Sequence, residues 1–178
     1  MNRILVLSLA ALALSAGSAH ARGVGLGFFA GASLPVVQED QDNGSLWGLR
    51  APVTLVPLLT VEPYFSSSAL GDKTTDVGGF SFTRQGSDVT SFGVNAMLTM
   101  GGPIRFYPFA GIGSAKYKRS AQDESFTAYN LGLGFGFSAV PKLTVDVRGE
   151  LQAAVDGGVS RKLANISAGV SYSIFSMP

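Results

Sequence analysis

Asp146, Arg148 and Glu150 occupy alternate positions in the stretch L-T-V-D-V-R-G-E-L-Q-A-A that runs from Leu143 to Ala154. Two carboxylates on one surface are the raw material of acid–base catalysis. Here a guanidinium stands between them, which favours a structural ion network over proton transfer. Three other groups invite a chemical reading. Ser66-Ser67-Ser68 offers hydroxyl nucleophiles, but a serine needs an adjacent base to activate it, and histidine is the usual one near neutral pH. The chain has one histidine, His20, and no cysteine. Gly23-Val24-Gly25-Leu26-Gly27 has the glycine density of a phosphate loop, yet its glycines alternate and no Lys-Ser or Lys-Thr follows. Glu39, Asp40 and Asp42 could offer oxygens to a cation, but their spacing matches no full calcium loop. The residues therefore point to no catalytic group, no metal and no cofactor.

The elements that must carry these residues are strands. Asn2 and Arg3 precede an apolar run, Ile4 to Leu14, which small residues and Ala19-His20-Ala21 follow. That is the order of a cleaved export signal, residues 1–21. The run is too short for a spanning helix, which needs about 20 apolar residues. Removal of residues 1–21 takes away His20 and Arg3, leaving equal numbers of acidic and basic side chains in the single domain 22–178. A chain without a basic excess gives no reason to expect a nucleic-acid partner. Charged residues make up 14% of the chain, against about 25% in soluble domains. An exported, weakly charged chain with no spanning helix can still sit in a membrane as a closed β-barrel.

Eight segments of 11 to 14 residues alternate in character: 24–35, 46–56, 58–69, 89–100, 104–115, 126–139, 143–155 and 163–175. A membrane strand needs about 9 to 11 residues. The connections alternate too. Val56-Pro57-Leu58, Gly101-Gly102-Pro103 and Val140-Pro141-Lys142 are tight, whereas 38–45, 71–88, 116–125 and 156–162 are longer and polar. Short turns at one end and long loops at the other are the pattern of outer-membrane barrels. An even strand count returns both termini to the short-turn, periplasmic side.

Successive strand residues point to opposite faces. On one face stand residues such as Leu26, Phe28, Leu131, Leu133 and Phe135; on the other, Gly25, Gly27, Asn130, Gly132 and Gly134. The six charges inside strands, Arg50, Glu62, Arg105, Asp146, Arg148 and Glu150, all fall on the polar face. Three are positive and three negative, so a buried lumen network that plugs the barrel is expected, with Phe29, Tyr64, Tyr107 and Phe109 filling the remaining space. Small residues suit the crowded interior of an eight-stranded barrel. The inverted arrangement, a soluble periplasmic barrel with its polar face outward and a small apolar ligand inside, would normally carry far more Lys and Glu outside. Trp47, Phe65, Phe92, Phe106, Tyr129, Phe137 and Tyr172 lie towards strand ends on the apolar face, where aromatic girdles belong.

Two motifs carry a family resemblance. Arg105-Phe106-Tyr107-Pro108-Phe109-Ala110-Gly111-Ile112-Gly113 resembles the fifth strand of small OmpA-like outer-membrane barrels. Val140-Pro141-Lys142-Leu143-Thr144-Val145-Asp146-Val147-Arg148 resembles the same family's turn into the seventh. The resemblance spans roughly Arg22 to Phe175. It implies an all-β, eight-stranded, antiparallel up-and-down transmembrane barrel in the bacterial outer membrane, in contact with lipid and lipopolysaccharide. It also implies insertion by the barrel-assembly machinery, which reads a terminal aromatic. Here Phe175 stands out of phase with Tyr172 and Ile174 and is followed by Ser176-Met177-Pro178. Larger members add a peptidoglycan-binding domain, and no such role is expected from this barrel. The expected role is non-enzymatic, structural or directed at a host or surface ligand through the loops. Phe80, Phe82 and Arg84 in the longest loop are candidate contacts, as is a small basic patch of Lys116, Lys118 and Arg119 that could meet lipopolysaccharide phosphates.

Overall fold

The computed structural model describes residues 23–36, 41–119 and 122–176. The expected export signal, with His20, lies outside these residues, as do Glu39 and Asp40 of the acidic loop. The described chain is twelve strands. They are β1 (Gly23–Val36), β2 (Asp42–Arg50), β3 (Val53–Val56), β4 (Leu59–Gly71), β5 (Lys73–Val77), β6 (Phe80–Arg84), β7 (Asp88–Leu98), β8 (Met100–Gly101), β9 (Ile104–Arg119), β10 (Gln122–Val140), β11 (Leu143–Asp156) and β12 (Val159–Ser176).

Ten of them form one antiparallel sheet that closes when β10 pairs with β9. The ring has eight staves. β2 and β3 together make the second, because Pro52 has no N–H to donate and interrupts the ladder between them. The carbonyl of Pro52 still accepts from Gly25 N at 2.9 Å, and Ala51 N donates to Pro63 O at 2.9 Å, so the gap stays bonded. β7 and β8 share the fourth stave with a break at Thr99, whose amide donates to Leu58 O at 2.8 Å.

The short turns fall where the sequence places them. Pro141 and Lys142 form one, with Lys142 at φ 73°, the left-handed position that the third residue of a type II turn requires. The other end differs from expectation. The 71–88 loop contains the hairpin β5–β6, closed by Gly78-Gly79 at φ 61° and 86°. Those values suit the two-residue type I′ turn that matches strand twist. The expected loops 116–125 and 156–162 are largely strand, and β11 passes into β12 through Gly157-Gly158 at φ 51° and 99°. Alternation continues there because Tyr117, Phe126 and Leu163 still turn inward and are buried.

The apolar face is the outer one. Leu26, Leu131, Phe135 and Ile166 are each more than half exposed, while Arg50, Glu62, Asn95, Asn130 and Asp146 are buried inside. Trp47, Phe65, Phe92 and Tyr129 ring the hairpin end of this surface, and Phe137 and Tyr172 stand near the short-turn end. A bulge resolves the phase problem at Phe175. Val24 pairs with Phe175 but Gly25 pairs with Ser173, so one residue of β12 is extra. The added residue shifts the alternation, and Tyr172, Ile174 and Phe175 are all exposed.

Candidate functional site

The last residue of β2, Arg50, meets Glu62 of β4 and Asp146 and Arg148 of β11 in the middle of the lumen. Arg148 grips Glu62 with both ends of its guanidinium, Nη1 to Oε1 at 2.5 Å and Nη2 to Oε2 at 2.8 Å. Arg50 Nη2 donates to Asp146 Oδ2 at 2.6 Å, and its Nε lies 4.0 Å from Glu62 Oε2 and donates to Ser171 Oγ at 3.2 Å. Arg148 Nε donates to the Tyr107 hydroxyl at 3.0 Å and stands 3.7 Å from Asp146 Oδ1. Two cations and two anions thus cancel in a buried space, where a charge without a partner would be costly.

The glycines of the polar face make room for this. Phe29 lies against Gly48, its ladder partner, Phe109 against Gly132 and Tyr107 against Gly134, so closely that a Cβ at any of the three glycines would run into the ring. The rings in turn flank the cations. Arg50 Cζ is 5.6 Å from the Phe29 centroid, and Arg148 Cζ is 5.0 Å from Tyr107 and 5.5 Å from Phe109. Such cation–π contacts add attraction without adding charge.

Two of the six expected charges stand apart from the cluster. Glu150 lies one step further along β11, where Asn165 Nδ2 donates to its Oε1 at 3.0 Å. It belongs to a layer of amides and hydroxyls in which Ser33 Oγ donates to Asn165 Oδ1 at 2.7 Å and Asn130 Nδ2 donates to Tyr64 Oη at 2.7 Å. Gln152 Nε2 donates to Asn130 Oδ1 at 3.3 Å in the same layer. Arg105 sits at the short-turn mouth, half-buried, donating to Gly102 O at 3.4 Å and Ser138 Oγ at 3.2 Å. Both stand on the polar face of their strands, at heights along the axis that the face pattern could not give.

Above the polar layer, towards the hairpin end, the lumen turns apolar. Leu70, Val89, Ala115, Tyr117, Phe126, Ala128, Ala154 and Leu163 form one buried cluster. Arg161 covers it, with Cζ 5.0 Å from the Tyr117 ring and Nη2 bonded to Glu124 Oε2 at 2.9 Å. Burial pushes the Tyr117 phenol up to about 12. Below the ion cluster the lumen widens into a vestibule of about 470 Å³ at the short-turn end, whose walls include Thr54, Thr99, Arg105, Ser138, Lys142 and Thr144.

The loop candidates separate as well. Phe80 and Phe82 project from the hairpin, 72% and 61% exposed. Lys73 is the direct ladder partner of Arg84, so the hairpin holds two cations side by side next to its aromatics. The basic patch is not one patch. Lys116 and Lys118 face outward, while Arg119 takes the opposite, inward parity on β9. Lys116 Nζ is 2.6 Å from Asp123 Oδ2, and Lys118 lies between Asp88 and Asp123 in the ladder. The hydrogen bond from Lys116 holds the Asp123 carboxyl below its usual range. Of the serine cluster, Ser66 and Ser68 turn inward and Ser67 does not; Ser68 Oγ and Ser33 Oγ are 2.9 Å apart. Among the described residues no group of three His, Cys, Asp or Glu side chains could hold a metal ion.

The geometry has clear relatives. Neisserial surface protein A superposes with a TM-score of 0.68 at 13% identity, covering 85% of this chain and 97% of that one. Ail of Yersinia pestis, solved with the heparin analogue sucrose octasulfate, gives 0.52 at 16% identity, covering 85% and 97%. The N-terminal β-barrel domain of Pseudomonas aeruginosa OprF gives 0.51 at 16%, covering 85% and 98%. No curated protein matches the chain in sequence. The family model described as outer membrane protein beta-barrel domain matches residues 4–173. The inverted, soluble arrangement is thereby overturned, since the apolar face is outside and the family resides in the bacterial outer membrane. The chain is an eight-stranded outer-membrane barrel and belongs to the outer membrane protein beta-barrel domain family.

Proposed function

We propose that this barrel is a non-enzymatic surface protein whose lumen is plugged and whose working part is the β5–β6 hairpin. The observation that carries this reading is the hairpin itself. It presents Phe80 and Phe82 to solvent beside the Lys73–Arg84 pair on a rigid, filled scaffold. Like charges placed directly opposite in a ladder cost stability, so an anionic partner that bridges them offsets that cost on binding. Among the described residues no carboxylate forms a salt bridge with either cation, and that of Asp72 accepts from the Gly86 amide at 2.7 Å. A sulfated or otherwise anionic glycan of a host or neighbouring surface fits this chemistry. The heparin analogue seen with Ail makes sucrose octasulfate a sensible first probe.

Lipid and lipopolysaccharide surround the barrel in this reading. Lys116 and Lys118 contribute little to phosphate binding, because Asp88 and Asp123 flank them. Residues 1–21 serve as the export signal, and the outward Phe175 is the aromatic that the assembly machinery meets. The test is replacement of residues 74–84 by a short glycine–serine turn. Binding of sucrose octasulfate and of heparin-coated surfaces should be lost, while heat-modifiable gel mobility stays unchanged. Unaltered binding in the shortened protein would remove the hairpin from the argument.

A further inference from the structure

We propose that the vestibule at the periplasmic end is a binding site for a small oxyanion-bearing molecule, one with a phosphate or carboxylate group. The proposal does not depend on the role of the hairpin, which lies at the other end. Three observations converge on it.

The first is space. The vestibule holds about 470 Å³, within the range of roughly 300–1,000 Å³ typical of small-molecule sites. The second is charge. At its floor Arg50 and Arg148 are cancelled by Glu62 and Asp146. At its rim Arg105 and Lys142 are not, since among the described residues no carboxylate lies within salt-bridge distance of either. The third is the donor set. Arg105 is anchored by Gly102 O and Ser138 Oγ through Nε and Nη2. A guanidinium has five N–H donors, so others remain to turn towards the cavity. The hydroxyls of Thr54, Thr99 and Thr144 line the same walls. Uncancelled cations together with hydroxyl donors select an oxyanion, since a carboxylate or phosphate oxygen accepts from both. A free cation would meet Arg105 and Lys142 on entry and be repelled. The position of the mouth makes the periplasm the supply.

The barrel refolded in a maltoside detergent, with ¹⁵N-labelled arginine, provides the test. Inorganic phosphate and, separately, succinate are titrated while the Arg105 Nε–Hε resonance is followed. Saturable shifts at Arg105 are expected. The double variant Arg105→Gln with Lys142→Gln should weaken phosphate binding at least tenfold, as followed through the backbone amides of Ser138 and Thr144. The control Lys116→Gln with Lys118→Gln removes the same charge at the opposite end and should leave the affinity unchanged. Heat-modifiable mobility confirms that each variant is folded. Nanodiscs distinguish the two sources of such a group. Shifts that appear on adding phosphatidylglycerol alone assign the ligand to a lipid headgroup, whereas shifts that need the soluble anion assign it to a solute. Either result supports the site. Shifts that grow linearly without saturation, or equal affinity in the Arg105–Lys142 double variant, overturn it.

Discussion

Arg148 shows what one side chain does in this interior. It supplies both hydrogen bonds to Glu62, one to Tyr107 and charge to Asp146. Arg148→Ala leaves Glu62 buried with Arg50, 4.0 Å away, as its remaining cation. Loss of one member of a buried pair costs about 3–5 kcal/mol, which urea unfolding in detergent should register. Adding Glu62→Gln should recover a large part of it, because the stranded anion disappears; no recovery would mean that the packing of the long side chain mattered more than its charge. Gly134 makes a second case. Gly134→Ala would press a methyl group into the Tyr107 ring and should cost about 1–3 kcal/mol through overpacking, while Gly149→Ala, with open space around it, should be nearly neutral. The side of each charged residue was legible in the sequence because the strand period is two. Its level was not. Residues two apart on a face are separated by about 7 Å along the strand, so Glu150 passes into the next layer and Arg105 drops to the mouth. The register that brings Arg50 to Asp146 links residues far apart in the chain, and no local pattern encodes it.

At the scale of elements, membrane-facing strands and emergent hairpins obey the same alternation with different outer residues. Along β10 the outward series is apolar from Phe137 to Tyr129 and then becomes Thr127, Ser125 and Asp123. The polarity of 116–125 suggested a loop, yet the inward Tyr117 and Phe126, with ring centroids 5.2 Å apart, keep it in the sheet. The signal that could have revealed the hairpins was Gly78-Gly79 and Gly157-Gly158, each flanked by strand-like residues. Above the membrane, the Lys116–Asp123 pair gives a pH prediction. Asp123 has its pKa lowered on folding, so the pair's contribution is present above the ordinary aspartate range and fades as pH falls through the lowered value. Lys116→Gln should move the Asp123 titration, followed by carboxyl NMR, up towards the ordinary value. Because the pair is exposed, the melting temperature should hardly change; a clear drop would show that the hairpin depends on it.

At the scale of the whole molecule, an eight-stranded ring leaves an interior that side chains fill. The ion cluster, the layer of amides and hydroxyls and the apolar cluster occupy successive levels of it. In planar bilayers the protein should show no stable nanosiemens channel; a steady open state of that size would contradict the plug. The levels are also unequal. The hairpin end is closed by Leu70, Val89, Tyr117, Phe126 and Leu163, each no more than 7% exposed, whereas the other end is an open vestibule. Among the described residues the lumen thus opens at the short-turn end. With the lumen plugged as proposed, its hollow becomes an annex of the periplasm, sharing that compartment's ions and acidity. A cysteine placed at Thr99 should resist membrane-impermeant thiol reagents added to intact cells and react once the outer membrane is opened. Antibodies and soluble drugs outside the cell would meet only the hairpins and the lid, never the charged residues beneath.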